Sequence, residues 1–254
     1  MNIQDVLVLE WGFSPADYFE TPVTISRSDY HIAIQDGKIE VRMEPAAYDR
    51  NPAIKDVIED ALNDRFRGVE LLTHRGYTLS FAGRSRIYPD GHRVFFENLH
   101  ETIVFRASAD ILVADKDGKV IHDSRQERID KKTELADLAE RHGTRDALAR
   151  SLLSSYHAAV TDPNDELVYL YEIRDALAKR FSGGKQACSV LGLNGIRWKR
   201  LGRLADNEPV KQGRHRGKFP GGLRDATEPE LKEAREIAQG LILAYLRHLD
   251  KRAT

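Results

Sequence analysis

The sequence predicts an α+β protein, with a strand-rich N-terminal part that carries one helix and an all-α helical bundle after it. Three observations predict this. Asp-Gly dipeptides at 36–37, 90–91 and 117–118 are flanked by apolar residues, which is a hairpin signal because the turn needs positive φ at both central positions. One helical stripe, Ile54, Val57, Ile58, Ala61, Leu62 and Phe66, interrupts the strands. From Ser124 onward the apolar spacing is helical. The 254 residues, 41% of them hydrophobic, can build one large core or two ordinary ones. We expect a strand-rich domain over 1–123, connecting helices over 124–161 and a helical domain over 162–254.

The elements follow in order. Ile32 and Ile34 on one side of Asp36-Gly37 face Ile39, Val41 and Met43 on the other. Asn51-Pro52 offers a cap and a first-turn proline to the helix that follows. Asp90-Gly91 joins strands over Arg84–Tyr88 and Arg93–Glu97, and Asp117-Gly118 joins Ile111–Ala114 to Val120–His122. Thr102–Arg106 reads as a further strand. A charged helix is predicted over Arg125–Arg141 and a second over Arg145–Val160. A third starts at Asp162-Pro163-Asn164-Asp165, carries Leu167, Leu170, Tyr171, Leu177 and Phe181, and stops at Ser182-Gly183-Gly184. Short helices follow over Lys185–Leu191 and Gly195–Leu204. The last helix opens on Thr227-Glu228-Pro229-Glu230, a capping box.

Charge is spread unevenly. The net charge is −1, but 179–218 holds eleven Lys/Arg against two Asp/Glu, leaving 28 basic and 38 acidic residues elsewhere. Arginines and lysines on short helices and a glycine-bearing loop can neutralise phosphates, with counterion release driving binding. Arg197, Lys199 and Arg200 on the short helix, and Lys211, Arg216 and Lys218 in the loop, are the candidate nucleic-acid contacts, with Trp198 a possible stacking platform for a base. The competing reading is a solvated face that pairs with acidic helices of the same chain or of a second copy, with Trp198 in the core.

Arg214-His215-Arg216 is the candidate catalytic constellation. Like charge on both sides disfavours the imidazolium, and a neutral imidazole is what a general base needs. Adjacent arginines suit the negative charge that builds at phosphorus when a 2′-hydroxyl attacks. Glu172 and Asp175, three apart on one helix face, could orient an arginine or histidine. No P-loop, HExxH or cysteine cluster is present, so no metal or cofactor is expected. The lone Cys188 reads as a small buried hydrophobe. No apolar run reaches the ~18 residues of a membrane span, and no secretory signal is evident at the N-terminus, so we expect a cytoplasmic protein without membrane contact.

From Leu170-Tyr171-Glu172-Ile173-Arg174-Asp175-Ala176-Leu177, through Phe181-Ser182-Gly183-Gly184 and Leu201-Gly202-Arg203-Leu204-Ala205-Asp206-Asn207, to Arg214-His215-Arg216 ahead of a long helix, the chain resembles HEPN domains, in particular the Apea-like group. The resemblance covers about a third of the chain. It implies a helical, commonly dimeric domain and, in many members, a metal-independent RNase of toxin–antitoxin or antiviral systems. It also implies RNA and a second copy as partners. The N-terminal part lies outside the resemblance and reads as a sensor, an oligomerisation platform or a module that docks a protein partner. On this chain it points to His215, Arg214 and Arg203 as catalytic residues, supported by Glu172, Arg174, Asp175 and Asn207. The family signature is an arginine followed at short spacing by a histidine. Here eleven residues separate Arg203 from His215, and Arg214 is adjacent. The short spacing occurs instead at Arg67/His74, Arg86/His92, Arg93/His100 and Arg150/His157. A non-catalytic binding or dimerisation module is the alternative.

Overall fold

The computed structural model describes residues 5–96, 112–114, 120–219 and 221–253. The architecture is α+β, with an antiparallel six-stranded sheet in the N-terminal part and helices mainly C-terminal. The expected strand at Thr102–Arg106 and the Asp117-Gly118 turn lie outside the described residues. Contacts divide the chain into two units, 1–60 with 77–130 and 61–76 with 131–254. The chain passes from one to the other three times.

The first unit is built on the sheet. Its strands are β1 (Val6–Ser14), β2 (Val23–Ser26), β3 (Tyr30–Gln35), β4 (Lys38–Met43), β5 (Thr78–Ile87) and β6 (Arg93–Phe95), in the order β2-β3-β4-β1-β5-β6. Asp36 and Gly37 make the β3–β4 turn at φ 50° and 79°, the positive values the dipeptide foretold. At Asp90-Gly91, Gly91 has φ 87° and the Asp90 carboxylate accepts from the His92 amide at 3.0 Å. β1 and β2 were not foreseen. β1 lies between β4 and β5, and consecutive Leu7, Val8 and Leu9 are all buried. A strand covered on both faces reads as an unbroken apolar run, without the alternation that identifies a half-buried one. A short α1 (Pro45–Arg50) precedes α2 (Ile54–Thr73), and the Ile54 amide donates to the Asn51 carbonyl at 2.9 Å. A two-stranded ladder, β7 (Leu112–Ala114) with β8 (Val120–Asp123), completes the strands.

The second unit is helical. It contains the end of α2, most of α3 (Ser124–Gly143), then α4 (Ala147–Thr161), α5 (Glu166–Arg180), α6 (Gly184–Leu191), α7 (Gly195–Asp206) and α8 (Glu228–Ala253). α5 packs against α4, α6, α7 and α8 and is the centre of the bundle. Its Leu167, Leu170, Ile173 and Leu177 are inaccessible to solvent, and each such leucine stabilises the fold by about 2 kcal/mol. α4, expected as a connector, contributes Ala149, Leu152, Leu153, Tyr156 and Ala159 to this core, and α2 contributes Leu71. Among the described residues no helix is long and apolar enough to cross a membrane.

Candidate functional site

The loop between α7 and α8 is pinned onto the end of α7. Val210 bridges Arg224, and the Lys211 amide donates to the Arg224 carbonyl at 2.9 Å. The Ala226 amide donates to the Gln212 side chain at 3.0 Å. The Arg214 amide donates to the Ala205 carbonyl at 2.8 Å. Gly213 makes this approach possible, because a Cβ there would lie 3.0 Å from the Ala205 oxygen and 3.2 Å from Val210. A 3₁₀ turn, Arg216–Lys218, follows, with the Lys218 amide on the His215 carbonyl at 3.0 Å.

This backbone path brings His215 to Asp206, the last residue of α7. His215 Nε2 lies 2.7 Å from Asp206 Oδ1. That oxygen is sealed from solvent and receives no aligned hydrogen bond, so close charge contact with the ring is its interaction among the described residues. His215 Nδ1 makes no hydrogen bond among the described residues and carries the lone pair when Nε2 is protonated. The carboxylate opposes in sign the arginine neighbours on which the sequence expectation rested. Neither Glu172 nor Asp175 makes an ion pair or side-chain hydrogen bond among the described residues, and Asn207 is the exposed C-cap of α7. Sequence reasoning missed Asp206. It stands nine positions before His215 in the chain, and only the Ala205–Arg214 backbone bond reveals that they meet.

Arg214 is exposed, and its guanidinium lies over the Tyr171 ring at 4.2 Å. Arg174 lies 5.0 Å from the same ring and 5.2 Å from that of Trp198, and its Nε donates to the Trp198 carbonyl at 3.2 Å. Arg174 therefore braces α5 against α7 and is no free cation. Trp198, offered above as a stacking platform, is 4% exposed and belongs to the core.

Five of the eleven basic residues in 179–218 meet carboxylates of the same unit. Arg197 pairs with Glu236 at 3.7 Å, Arg200 with Glu233 at 2.9 Å, Arg203 with Glu208 at 3.0 Å and Lys211 with Asp225 at 3.0 Å. Arg216 pairs with Asp165 and donates to the Asn164 carbonyl at 3.1 Å. Lys199, Arg214 and Lys218 have no carboxylate within ion-pair distance among the described residues. The pairs are largely exposed, so each is worth well under about 1 kcal/mol and a phosphate can displace it.

A second polar cluster begins at Glu166, next in sequence to the Asp165 that pairs with Arg216. Buried Glu166 receives Arg235 through two hydrogen bonds of 2.6 and 2.9 Å, and His74 Nε2 lies 3.7 Å away. Burial, then the Arg235 charge, lower the His74 pKa to about 4, and Glu228 opposes the shift only in part. Fully buried Glu70 meets His157 Nδ1 at 3.0 Å. Burial, with Glu70 next, pushes the Tyr156 hydroxyl well above its usual range. Among the described residues no group of three His, Cys, Asp or Glu side chains is placed to hold a metal ion.

No protein-family profile, curated protein or solved structure matches the chain.

Proposed function

We propose that the helical unit binds RNA through phosphate contact at Arg214 and is a metal-independent endoribonuclease in which His215 moves the proton. The observation that carries this is the 2.7 Å contact of His215 with Asp206, next in sequence to an arginine with no carboxylate in ion-pair reach among the described residues. A carboxylate oxygen 2.7 Å from Nε2 favours the proton on that nitrogen electrostatically and leaves Nδ1 to accept one. Nδ1 takes the proton of a ribose 2′-hydroxyl, and the 2′-oxygen forms a bond to phosphorus. The bond to the 5′-oxygen breaks, and that oxygen leaves with a proton drawn from water. The products are a 2′,3′-cyclic phosphate and a 5′-hydroxyl. Arg214 opposes the charge on the phosphoryl oxygens, held in place by Tyr171. A cytoplasmic, toxin-like or defensive setting, with the sheet unit docking a protein partner, belongs to the same proposal.

A second reading has its own support. Arg203 and Arg216, the two arginines that would flank the reaction, already hold Glu208 and Asp165. That favours a non-catalytic module whose basic face docks RNA or an acidic protein.

Labelled RNA incubated with the protein in EDTA separates the two. Cleavage that leaves cyclic phosphate ends, is lost in His215→Ala and is reduced about 100-fold or more in Asp206→Asn supports the nuclease. Binding without cleavage leaves the docking module. No binding, or binding unchanged in Arg214→Ala, sinks the RNA reading altogether.

A further inference from the structure

α6 and α7 are joined by three residues, Gly192 to Asn194. Gly192 holds φ 64° and ψ 33°, a left-handed conformation that favours glycine and ends α6. The Leu193 amide donates to the Cys188 carbonyl at 2.8 Å. Asn194 caps α7, its side chain accepting from the Ile196 amide at 2.8 Å and the Arg197 amide at 3.3 Å. Ala187 of α6 and Trp198 and Leu201 of α7 are buried in the core. Gly184 admits the Trp198 indole, because a Cβ there would lie 2.6 Å from its Nε1. The side of α7 turned to solvent carries Ile196, Lys199 and Arg203, spaced three and four apart. Ile196 is 79% exposed, the most exposed large hydrophobic among the described residues, and stands in the first turn of the helix. Lys199 has no carboxylate in ion-pair reach among the described residues. On α6, Lys185, Gln186 and Ser189 are exposed. Residues 184–207 hold five Lys/Arg against one Asp/Glu.

We infer that α6 and α7 are a helix-turn-helix that binds duplex DNA, with α7 in the major groove. Two helices joined by a short turn that contains glycine are the frame of that motif, and its second helix reads bases with its N-terminal residues. Ile196 leads into the groove and meets a thymine methyl, the apolar group that the base edges present there. Lys199, one turn on, donates to guanine O6 and N7. Arg203, with Lys185, Gln186 and Ser189 of α6, reaches the phosphates and sets the register. The exposed isoleucine selects the occupant. Uracil lacks the methyl, and the deep, narrow major groove of an RNA duplex does not admit the helix. Arg197 and Arg200 stay with Glu236 and Glu233 of α8 and take no part. Arg203 has only an exposed pair with Glu208 to give up.

The inference does not rest on the RNA reading, and its test contains no RNA. Fluorescence anisotropy with a labelled DNA duplex of mixed sequence is expected to show binding in low salt that weakens steeply as salt rises. Lys199→Glu and Ile196→Asp, each with unchanged circular dichroism, are expected to weaken it about tenfold or more. Aspartate suits the first turn of a helix, so the loss in Ile196→Asp is one of binding and not of folding. Selection from a randomised duplex pool is expected to enrich a sequence that contains thymine. Ile196→Ala should lose that preference and keep most of the affinity, which phosphate contacts supply. Absence of duplex binding overturns the inference. So does binding unchanged in Lys199→Glu and Ile196→Asp, a selection that enriches nothing, or a preference indifferent to Ile196→Ala.

Discussion

Arg214 is exposed, yet Tyr171 holds its guanidinium by the face and leaves the N–H edges for an anion. If the proposed RNA reading holds, a stacked arginine has surrendered much of its rotamer freedom before binding, which lowers the cost of ordering it. We expect Tyr171→Leu to weaken RNA binding by about 2- to 5-fold, the worth of an exposed cation–π contact. Tyr171→Phe should bind as the parent does. Fluorescence anisotropy with a short labelled RNA measures both, and equal affinity of the leucine variant would remove Tyr171 from the site. His215 and Arg214 were legible in the sequence because a histidine among arginines is conspicuous. Their partners were not. Tyr171 lies 43 residues from Arg214, a separation that only the packing of α5 closes.

At the scale of elements, turns and caps were the most readable features, because their chemistry is local. The Asp36-Gly37 hairpin formed, and so did the glutamate half of the capping box at α8. In the box, Glu230 accepts from the Thr227 amide and hydroxyl at 2.9 Å each, and both its oxygens also receive Arg224. Arg224 first, with the Thr227 donors, brings the Glu230 pKa down from 4.5 to about 2. A carboxylate lowered in the fold contributes stability above its unfolded value and loses it as pH falls toward the folded one. Acid titration followed by circular dichroism should therefore show stability falling from about pH 4.5 to about pH 2, with a shallower slope in Glu230→Gln. Charge was misleading at this scale. The basic excess in 179–218 is real along the chain, but α7 folds against Glu233 and Glu236 of α8, and the loop against Asp165 and Asp225. A count along the sequence sees none of those pairings.

For the molecule as a whole, the buried polar cluster makes acid sensitivity a property of the helical unit. His74 follows α2, Tyr156 and His157 are on α4, Glu166 opens α5 and Arg235 is on α8. A histidine with a lowered folded pKa stays neutral in the fold while the unfolded chain takes up a proton. Its contribution is whole above 6.5 and is lost as pH falls to about 4. Urea melts between those pH values should show that loss in the parent and much less of it in His74→Gln. Equal slopes would mean that the imidazole is already solvated. The fold class was legible because hydrophobic period is set locally. The chain's path between units was not, since nothing in the stripe of α2 marks where its neighbours change.

That path has a consequence for how the protein can be taken apart. Each unit is assembled from two separated stretches of chain, so neither is a cassette. A fragment beginning at Ser124 would keep six helices and the whole Arg214–His215 loop. It would also lack Leu71 from its core and Glu70 beneath His157. A gene cut where the strand pattern gives way to the helical one would therefore sever the helical unit from part of its own interior.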